Sequence, residues 1–214
     1  MTALATGPNW DHFAASYRRQ LWLERGPLLA LLRMLAPAPG DALLDVGTGT
    51  AELLALLARE PGRPARAVGL DASEEMLARA APLPDGWRLE RDDAAALPFA
   101  DASFDVITAA YLLHLLDPLS RRRVIAEIAR VLRPGGRVGT LTIAPPRTAI
   151  GRALSTPLVR AARRSQGRLA GMRPLDPSAA LAAAGLELAA SRRSWRGYPS
   201  LCIVATQAEG GLTA

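Results

Sequence analysis

From residue 41 onward, short apolar runs alternate with segments whose apolar residues recur at helical spacing. That alternation predicts a doubly wound, mostly parallel sheet with helices between its strands. Strands are expected over Ala42–Val46, Arg66–Leu70, Trp87–Arg91, Phe104–Ala109, Arg137–Ile143, Leu186–Ala190 and Leu201–Thr206. The last two are joined without an evident helix, which predicts an antiparallel hairpin at one edge, with Cys202 packed inside an apolar edge strand.

The helical segments carry their own start and stop signals. Ala51–Arg59 is apolar at 53, 54, 56 and 57. Ser73 is placed to cap a helix whose first turn holds Glu74 and Glu75, favourable at the positive end of the helix dipole. Ser120–Leu132 puts Val124, Ile125, Ile128, Val131 and Leu132 on one face and should stop at a turn, Arg133-Pro134-Gly135-Gly136. Ser178–Ala184 ends at Gly185, a C-cap residue. Two parts lie outside this alternation. Residues 1–36 read as helices broken at Gly26-Pro27 and ended by Pro37-Ala38-Pro39-Gly40, and residues 144–175 carry seven Arg with no Asp or Glu.

Composition narrows the chemistry. A chain of 214 residues suits one buried core, so residues 1–214 are expected to form a single domain. Its parts are an N-terminal cover (1–40), a binding core (41–143), an Arg-rich insertion (144–175) and a C-terminal helix with edge strands (176–214). One Cys excludes a disulfide framework and a thiolate metal cluster, and two His make a His-based metal site improbable, so no metal is expected. No leader-like segment or membrane-length apolar run is evident, and a soluble, cytoplasmic protein is expected. Net charge is +6 and all 26 basic residues are Arg. Without Lys there is no Schiff-base lysine, no phosphate-loop lysine and no Tyr-x-x-x-Lys pair.

The sharpest local signal is Leu43-Leu44-Asp45-Val46-Gly47-Thr48-Gly49-Thr50-Ala51-Glu52, a strand ending in a glycine-rich turn that opens a helix. Gly47 and Gly49 allow close backbone approach to a ligand, and the helix start offers free N–H groups. Asp71 ends the second strand, where a carboxylate can accept from ribose hydroxyls, and Asp93 follows the third, where one can accept from an adenine amino group. Residues at successive strand ends converge on one crevice in such sheets. A dinucleotide loop would place Gly where Glu52 stands; a carboxylate there repels pyrophosphate, whereas Asp45 and Glu52 welcome an ammonium. That favours S-adenosylmethionine over NAD.

These segments resemble the class I S-adenosylmethionine-dependent methyltransferases, in the branch that includes the ubiquinone and menaquinone biosynthesis enzymes. The resemblance rests on Asp45-Val46-Gly47-Thr48-Gly49; on Gly69-Leu70-Asp71-Ala72-Ser73-Glu74-Glu75-Met76-Leu77; and on Asp93-Ala94-Ala95-Ala96-Leu97-Pro98-Phe99 with Ser103-Phe104-Asp105-Val106-Ile107. Leu113-His114 and Leu132-Arg133-Pro134-Gly135-Gly136 complete it, over roughly residues 41–143, with Trp10-Asp11, Phe13-Ala14 and Tyr17 at the front. It implies a Rossmann-like α/β fold: a seven-stranded sheet, mostly parallel with the last strand antiparallel, an N-terminal helical cover and a lid insertion after strand five. It implies S-adenosyl-L-methionine as cofactor, with contacts at Asp45, Gly47, Thr48, Gly49, Asp71, Ala72, Asp93 and Ala94. Met76 is expected beside the adenine, Ala110 at the methionine end and Tyr17 folded over the cofactor. Ala51 stands where many members have a third Gly, a departure expected to cost little because this cofactor carries no pyrophosphate.

The expected reaction is methyl transfer to an O, N or C nucleophile of a small molecule: a quinol, a phenol, a lipid-like compound or a natural product. A neutral thioether leaves, so alignment and exclusion of water do most of the work and no metal is needed. If an acceptor proton must be removed, the candidate bases are His114 and Tyr17, with His12 and Tyr198 behind them; packing at the pocket wall is the competing role for His114. The four Trp are read as packing residues. A nucleic-acid methyltransferase is the alternative, motivated by the basic charge. Against it, strand four is followed by Ala109-Ala110-Tyr111-Leu112 and there is no Pro-Cys nucleophile. The Arg-rich residues 147–173 are read either as a solvated face, as a lid for an anionic acceptor, or as a peripheral contact with anionic membrane or an acidic partner. Oligomeric state is left open.

Overall fold

The computed structural model describes residues 21–148, 173–194 and 199–208. Seven strands form one sheet in the order β3-β2-β1-β4-β5-β7-β6. They are β1 (Ala42–Val46), β2 (Arg66–Asp71), β3 (Trp87–Arg91), β4 (Phe104–Ala110), β5 (Leu132–Ile143), β6 (Leu186–Ser194) and β7 (Ser200–Gln207). The first five are parallel, and β7 runs antiparallel to both neighbours. The described helices are α1 (Leu21–Leu35), α2 (Glu52–Leu57), α3 (Glu74–Leu77), α4 (Pro118–Val131) and α5 (Ser178–Ala183).

Strand parity divides the core into two layers. Leu44, Val46, Ile107 and Ala109 face a layer that includes Val124, Ile125 and Ile128 of α4 and Leu181 of α5. Leu43, Val106 and Leu141 face the opposite layer, with Leu28, Leu31, Leu32 and Leu35 of α1 and the leucines of α2. By the same parity Asp45, Thr108 and Ala110 belong on the α1 side of the sheet. This places polar chemistry beneath α1 at the carboxyl ends of β1 and β4.

Three expectations are corrected. First, α1 runs unbroken through Gly26-Pro27. A proline inside a helix costs about 3 kcal/mol, but Leu28, Leu31, Leu32 and Leu35 are buried at about 1.5–3 kcal/mol each, so packing outweighs the lost bond. Gly139 lets the helix sit this close: a Cβ there would lie 2.6 Å from Leu35 Cδ1. Arg137 holds the far end of α1, donating to Leu35 O at 2.6 Å and to Asp41 Oδ2 at 2.7 Å.

Second, Arg133-Pro134-Gly135-Gly136 does not precede β5 but lies within it. Leu132 already pairs with Phe104, and the register shifts before Arg137 pairs with Val106. The segment is an irregular insertion in the ladder, with Gly135 at φ 71° and Arg133 donating to both carboxylate oxygens of Asp105 at 2.7 Å. Helix α4 correspondingly ends at Val131, and it begins at Pro118 behind an Asp117 cap that accepts from Leu119 and Ser120 N–H. Third, Cys202 is not on an edge strand: β7 lies between β5 and β6. The run Leu201–Ala205 is buried throughout, as a strand covered on both faces must be. The edge is β6, exposed from Glu187 through Arg192 and followed by half-buried Arg193, a composition that suits an unpaired strand flank.

Other signals hold. Ser73 Oγ accepts from Met76 N at 3.2 Å, and Gly185 is left-handed at φ 82° directly after α5. Trp87 donates from Nε1 to Pro64 O at 2.9 Å as a buried packing residue.

Candidate functional site

The loop after β1 is built on alternating left-handed residues. Gly47, Gly49 and Ala51 have φ of 70°, 56° and 57°. Two backbone bonds tie the loop to the neighbouring strand, with Gly47 N and Thr48 N both donating to Leu70 O, at 2.8 and 3.0 Å. Asp71 Oδ2 accepts from Gly49 N at 2.8 Å and Oδ1 from Ser73 N at 2.9 Å. The carboxylate at the end of β2 therefore braces the glycine loop as well as the start of α3. Ala51 corrects the expectation that its glycine is dispensable. The position is left-handed, where a Cβ costs about 1–2 kcal/mol, so the reason for glycine there is backbone conformation rather than approach to a phosphate.

Next to this loop a small open cleft lies beneath α1. Its floor is Asp45, Gly47, Thr48, Gly49 and Thr50; α2 adds Glu52 and Leu53, β4 and the turn after it add Ala110 and Tyr111, and α1 adds Glu24 and Leu28. Asp45 is 2% exposed. It accepts from Thr48 Oγ1 at 2.7 Å and from Thr108 Oγ1 at 2.6 Å. Burial pushes its carboxyl up to about 6; the two threonine hydroxyls oppose the rise and the charge of Asp71 adds to it. Burial also raises the Glu52 carboxyl, against the pull of Arg59 and Arg25. No Arg or His lines the cleft among the described residues. The site is thus anionic and bordered by glycine backbone, which suits a cationic ligand.

The remaining expected residues spread along the strand ends. Met76 is buried, and its Cε lies 3.2 Å from where a Cβ on Gly49 would stand. Ala72 is exposed beside it. Asp93 accepts from Ala95 N at 2.8 Å, so it shapes its own turn, and Ala94 is half-buried against the core. His114 is 4% exposed and packs edge-on against Tyr111, with ring centroids 6.0 Å apart. It does not line the cleft. Tyr17, His12 and Tyr198 lie outside the described residues, as do positions 149–172 of the Arg-rich segment. Among the described residues no cluster of His, Cys, Asp and Glu is disposed to hold a metal ion, and no helix is long and apolar enough to cross a membrane.

Five cleft residues are not singled out as site residues from sequence: the apolar Leu28 and Leu53, and three that carry polar groups. Glu24 lies four residues before Leu28, on the apolar stripe of α1, and an acid in that stripe is the signal that could have found it. Thr50 is 8% exposed with no hydrogen-bond partner for Oγ1 among the described residues. Tyr111 sits at φ 56°, with its N–H donated to Leu141 O at 2.7 Å and its hydroxyl 2.7 Å from Ser200 Oγ. A left-handed tyrosine has no sequence signature.

The strand order, the final antiparallel strand and the glycine loop after β1 define a class I S-adenosylmethionine-dependent methyltransferase fold. Residues 43–136 match the family described as Methyltransferase domain. The core is related in sequence to the ubiquinone and menaquinone methyltransferases. It is 42% identical over 112 residues to the ubiquinone/menaquinone biosynthesis C-methyltransferase UbiE of Desulfotalea psychrophila, covering 51% of this chain and 44% of that protein. It is 36% identical over 135 residues to the 27-O-demethylrifamycin SV methyltransferase of Amycolatopsis mediterranei, covering 60% and 47%. The chain spans about half the length of the curated relatives it matches. Among solved structures, the S-adenosylmethionine-dependent methyltransferase of Mesorhizobium loti superposes with a TM-score of 0.60 at 24% identity, over 86% of this chain and 98% of that one.

The cofactor this fold class implies is S-adenosylmethionine, and the residues present fit it. A cation-accepting cleft with an unpartnered buried hydroxyl adjoins the glycine loop. Asp71 lies at the other side of that loop, at the end of the neighbouring strand.

Proposed function

We propose that this chain transfers a methyl group from S-adenosylmethionine to an oxygen, nitrogen or carbon nucleophile of a small molecule. The acceptor class is a quinol, phenol, lipid-like compound or natural product, which the quinone and rifamycin methyltransferase relatives support. The observation that carries the reading is the anionic cleft under α1, adjoining a glycine loop braced by Asp71.

When bound, the cofactor supplies an electrophilic methyl on a sulfonium. Asp71 receives the ribose hydroxyls, and Met76, Asp93 and Ala94 border the adenine. Gly47, Thr48 and Gly49 offer backbone to the centre of the ligand. Asp45, beside Ala110, faces the methionine end. Tyr17, with the rest of residues 1–20, covers the cofactor and excludes water. His114 and Tyr17 are the candidate bases for an acceptor that must lose a proton. His114 packs edge-on against Tyr111 and does not line the cleft, so as a base it would serve an acceptor bound beyond the cleft lining. The Arg-rich segment is proposed as a lid over the acceptor, with anionic membrane as a second contact.

Calorimetry with S-adenosylmethionine and, separately, NADH tests the cofactor. A mass-spectrometric screen for a gain of one methyl across quinols, phenols and lipid amines tests the acceptor. Binding of NADH without S-adenosylmethionine overturns the reading.

A further inference from the structure

Residues 92–103 join β3 to β4 without regular helix or strand, and they carry Asp93 and Ala94. Peptide groups withdrawn from water in such a segment need partners. Its first turn meets that need close by. Asp92 N donates to Asp71 O at 3.2 Å, Ala96 N to Asp93 O at 3.0 Å, and Ala95 N to Asp93 Oδ1 at 2.8 Å. The stretch that follows is held from α4. Glu127 Oε2 accepts from Leu97 N at 2.8 Å, while Arg130 donates to Leu97 O at 3.0 Å and to Phe99 O at 2.7 Å. One side-chain pair therefore meets both peptide groups of buried Leu97, as a neighbouring strand would.

Arg130 is the centre of this arrangement. Besides the two carbonyls it donates to Asp101 Oδ1 at 2.8 Å, and to Glu127 Oε1 and Oε2 at 2.8 and 2.7 Å. A guanidinium has five N–H donors in a fixed fork, and here every one of them has an acceptor. The hydrogen bond from Arg130 is the first cause holding the Glu127 carboxyl below its usual range, so the pair is charged at neutral pH. A surface ion pair by itself contributes little. This one is tied to main chain on the loop, so what it fixes is the course of the backbone. The Asp93–Ala96 turn lies between two anchors: the Asp71 carbonyl on one side and the Glu127–Arg130 pair on the other.

We propose that Glu127 and Arg130 are positioning residues for cofactor recognition, setting the Asp93–Ala94 turn against the adenine and with it the preference for adenine over other purines. The proposal rests on the adenosylmethionine reading, in which Asp93 accepts from the adenine amino group. Neither residue lines the cleft; both act through the backbone of the loop. A carboxylate accepts from the 6-amino group of adenine and repels the 6-oxo group of hypoxanthine. A displaced turn therefore loses selectivity, while the glycine loop and Asp71 keep their hold on the rest of the ligand.

Calorimetry on the full chain compares S-adenosylhomocysteine with its inosine counterpart, which carries hypoxanthine in place of adenine. The unaltered protein should prefer the adenine ligand. Glu127→Ala and Arg130→Ala should each weaken S-adenosylhomocysteine about tenfold, the loss of one well-placed hydrogen bond, and leave the inosine ligand within about twofold. Glu127→Gln, whose amide oxygen still accepts from Leu97 N–H, should restore most of the preference. Arg130→Lys keeps the charge but not the fork and should not restore it. These two conservative variants carry the test if the alanine variants fail to fold, and an unchanged preference in the Lys variant overturns the proposal. Equal weakening of both ligands assigns a merely structural role and overturns it too. An unaltered protein that binds both ligands alike does the same, since there is then no adenine contact to position. Failure of the unaltered protein to bind either ligand removes the adenosylmethionine reading itself, a distinct result.

Discussion

Replacing Asp45 by Asn exchanges a buried carboxylate for a neutral amide of the same shape. Its two acceptor contacts are Thr48 Oγ1 and Thr108 Oγ1. Both hydroxyls rotate, so one can donate to the amide oxygen and the other accept from the amide nitrogen. The charge term is set by burial, which lifts the carboxyl from 3.8 to about 6. A rise of about two pH units corresponds to about 3 kcal/mol at 1.36 kcal/mol per unit. Because the folded value lies above the unfolded one, the native state binds the proton more tightly. Below pH 4 both states are protonated and the group costs nothing. Between pH 4 and 6 the unfolded chain ionises while the folded one resists, and above pH 6 the full penalty is in place.

The ligand-free Asn variant should therefore be more stable than the parent at pH 8. Allowing about 1 kcal/mol for less favourable amide hydrogen bonds, the net gain is about 2 kcal/mol. It should shrink as pH falls and vanish or reverse slightly near pH 4. Urea denaturation of both proteins at pH 8 and pH 4 measures this directly. Other carboxylates that titrate in acid, such as Asp105 and Glu127, whose hydrogen bonds hold them below the usual range, contribute equally to both proteins and cancel in the difference. A stability difference that is the same at both pH values would refute the reasoning. The same variant should bind S-adenosylmethionine more weakly, which would make Asp45 a residue that costs stability in exchange for a binding charge.

The other predictions concern separate parts of the molecule. Asp71→Ala should weaken S-adenosylmethionine by about 1.5–3 kcal/mol, read by calorimetry; unchanged affinity removes Asp71 from the site. Deleting residues 1–20 should leave the chain folded by circular dichroism but suppress turnover, and an active truncated protein sinks the role of Trp10, Phe13 and Tyr17 as a cover. Changing Arg160, Arg163 and Arg164 together to Gln should raise the acceptor KM while leaving cofactor affinity intact, and should weaken binding to anionic liposomes. Unaltered kinetics with no liposome binding in either protein returns the segment to a solvated face.

What could be read from sequence depended on whether one local rule governed the outcome. The β1 loop was legible because Gly47 and Gly49 follow an apolar strand, and strand ends in a doubly wound sheet face one crevice. The irregular insertion in β5 was not, because Pro134-Gly135-Gly136 has the composition of a turn. What keeps it within the strand is tertiary: Leu132 pairs with Phe104, and Arg133 with Asp105. The place of β7 inside the sheet follows from the order of pairing, which a periodicity of two does not encode; only its unbroken apolar run hints at cover on both faces. Pro27 misled for the same reason, since helix propensity charges about 3 kcal/mol for it while knowing nothing of the four leucines that follow. The site divides along this line too. Asp45 and Asp71 belong to strand ends and announce themselves. Glu24 becomes a site residue only because α1 packs onto the sheet and lines the same cleft as Asp45 and Ala110. Its sequence signal is an inconsistency, an acid on a leucine stripe. Residues that violate the pattern of their own element are where a folded chain concentrates binding chemistry, and Glu24 and left-handed Tyr111 are two such residues lining one cleft.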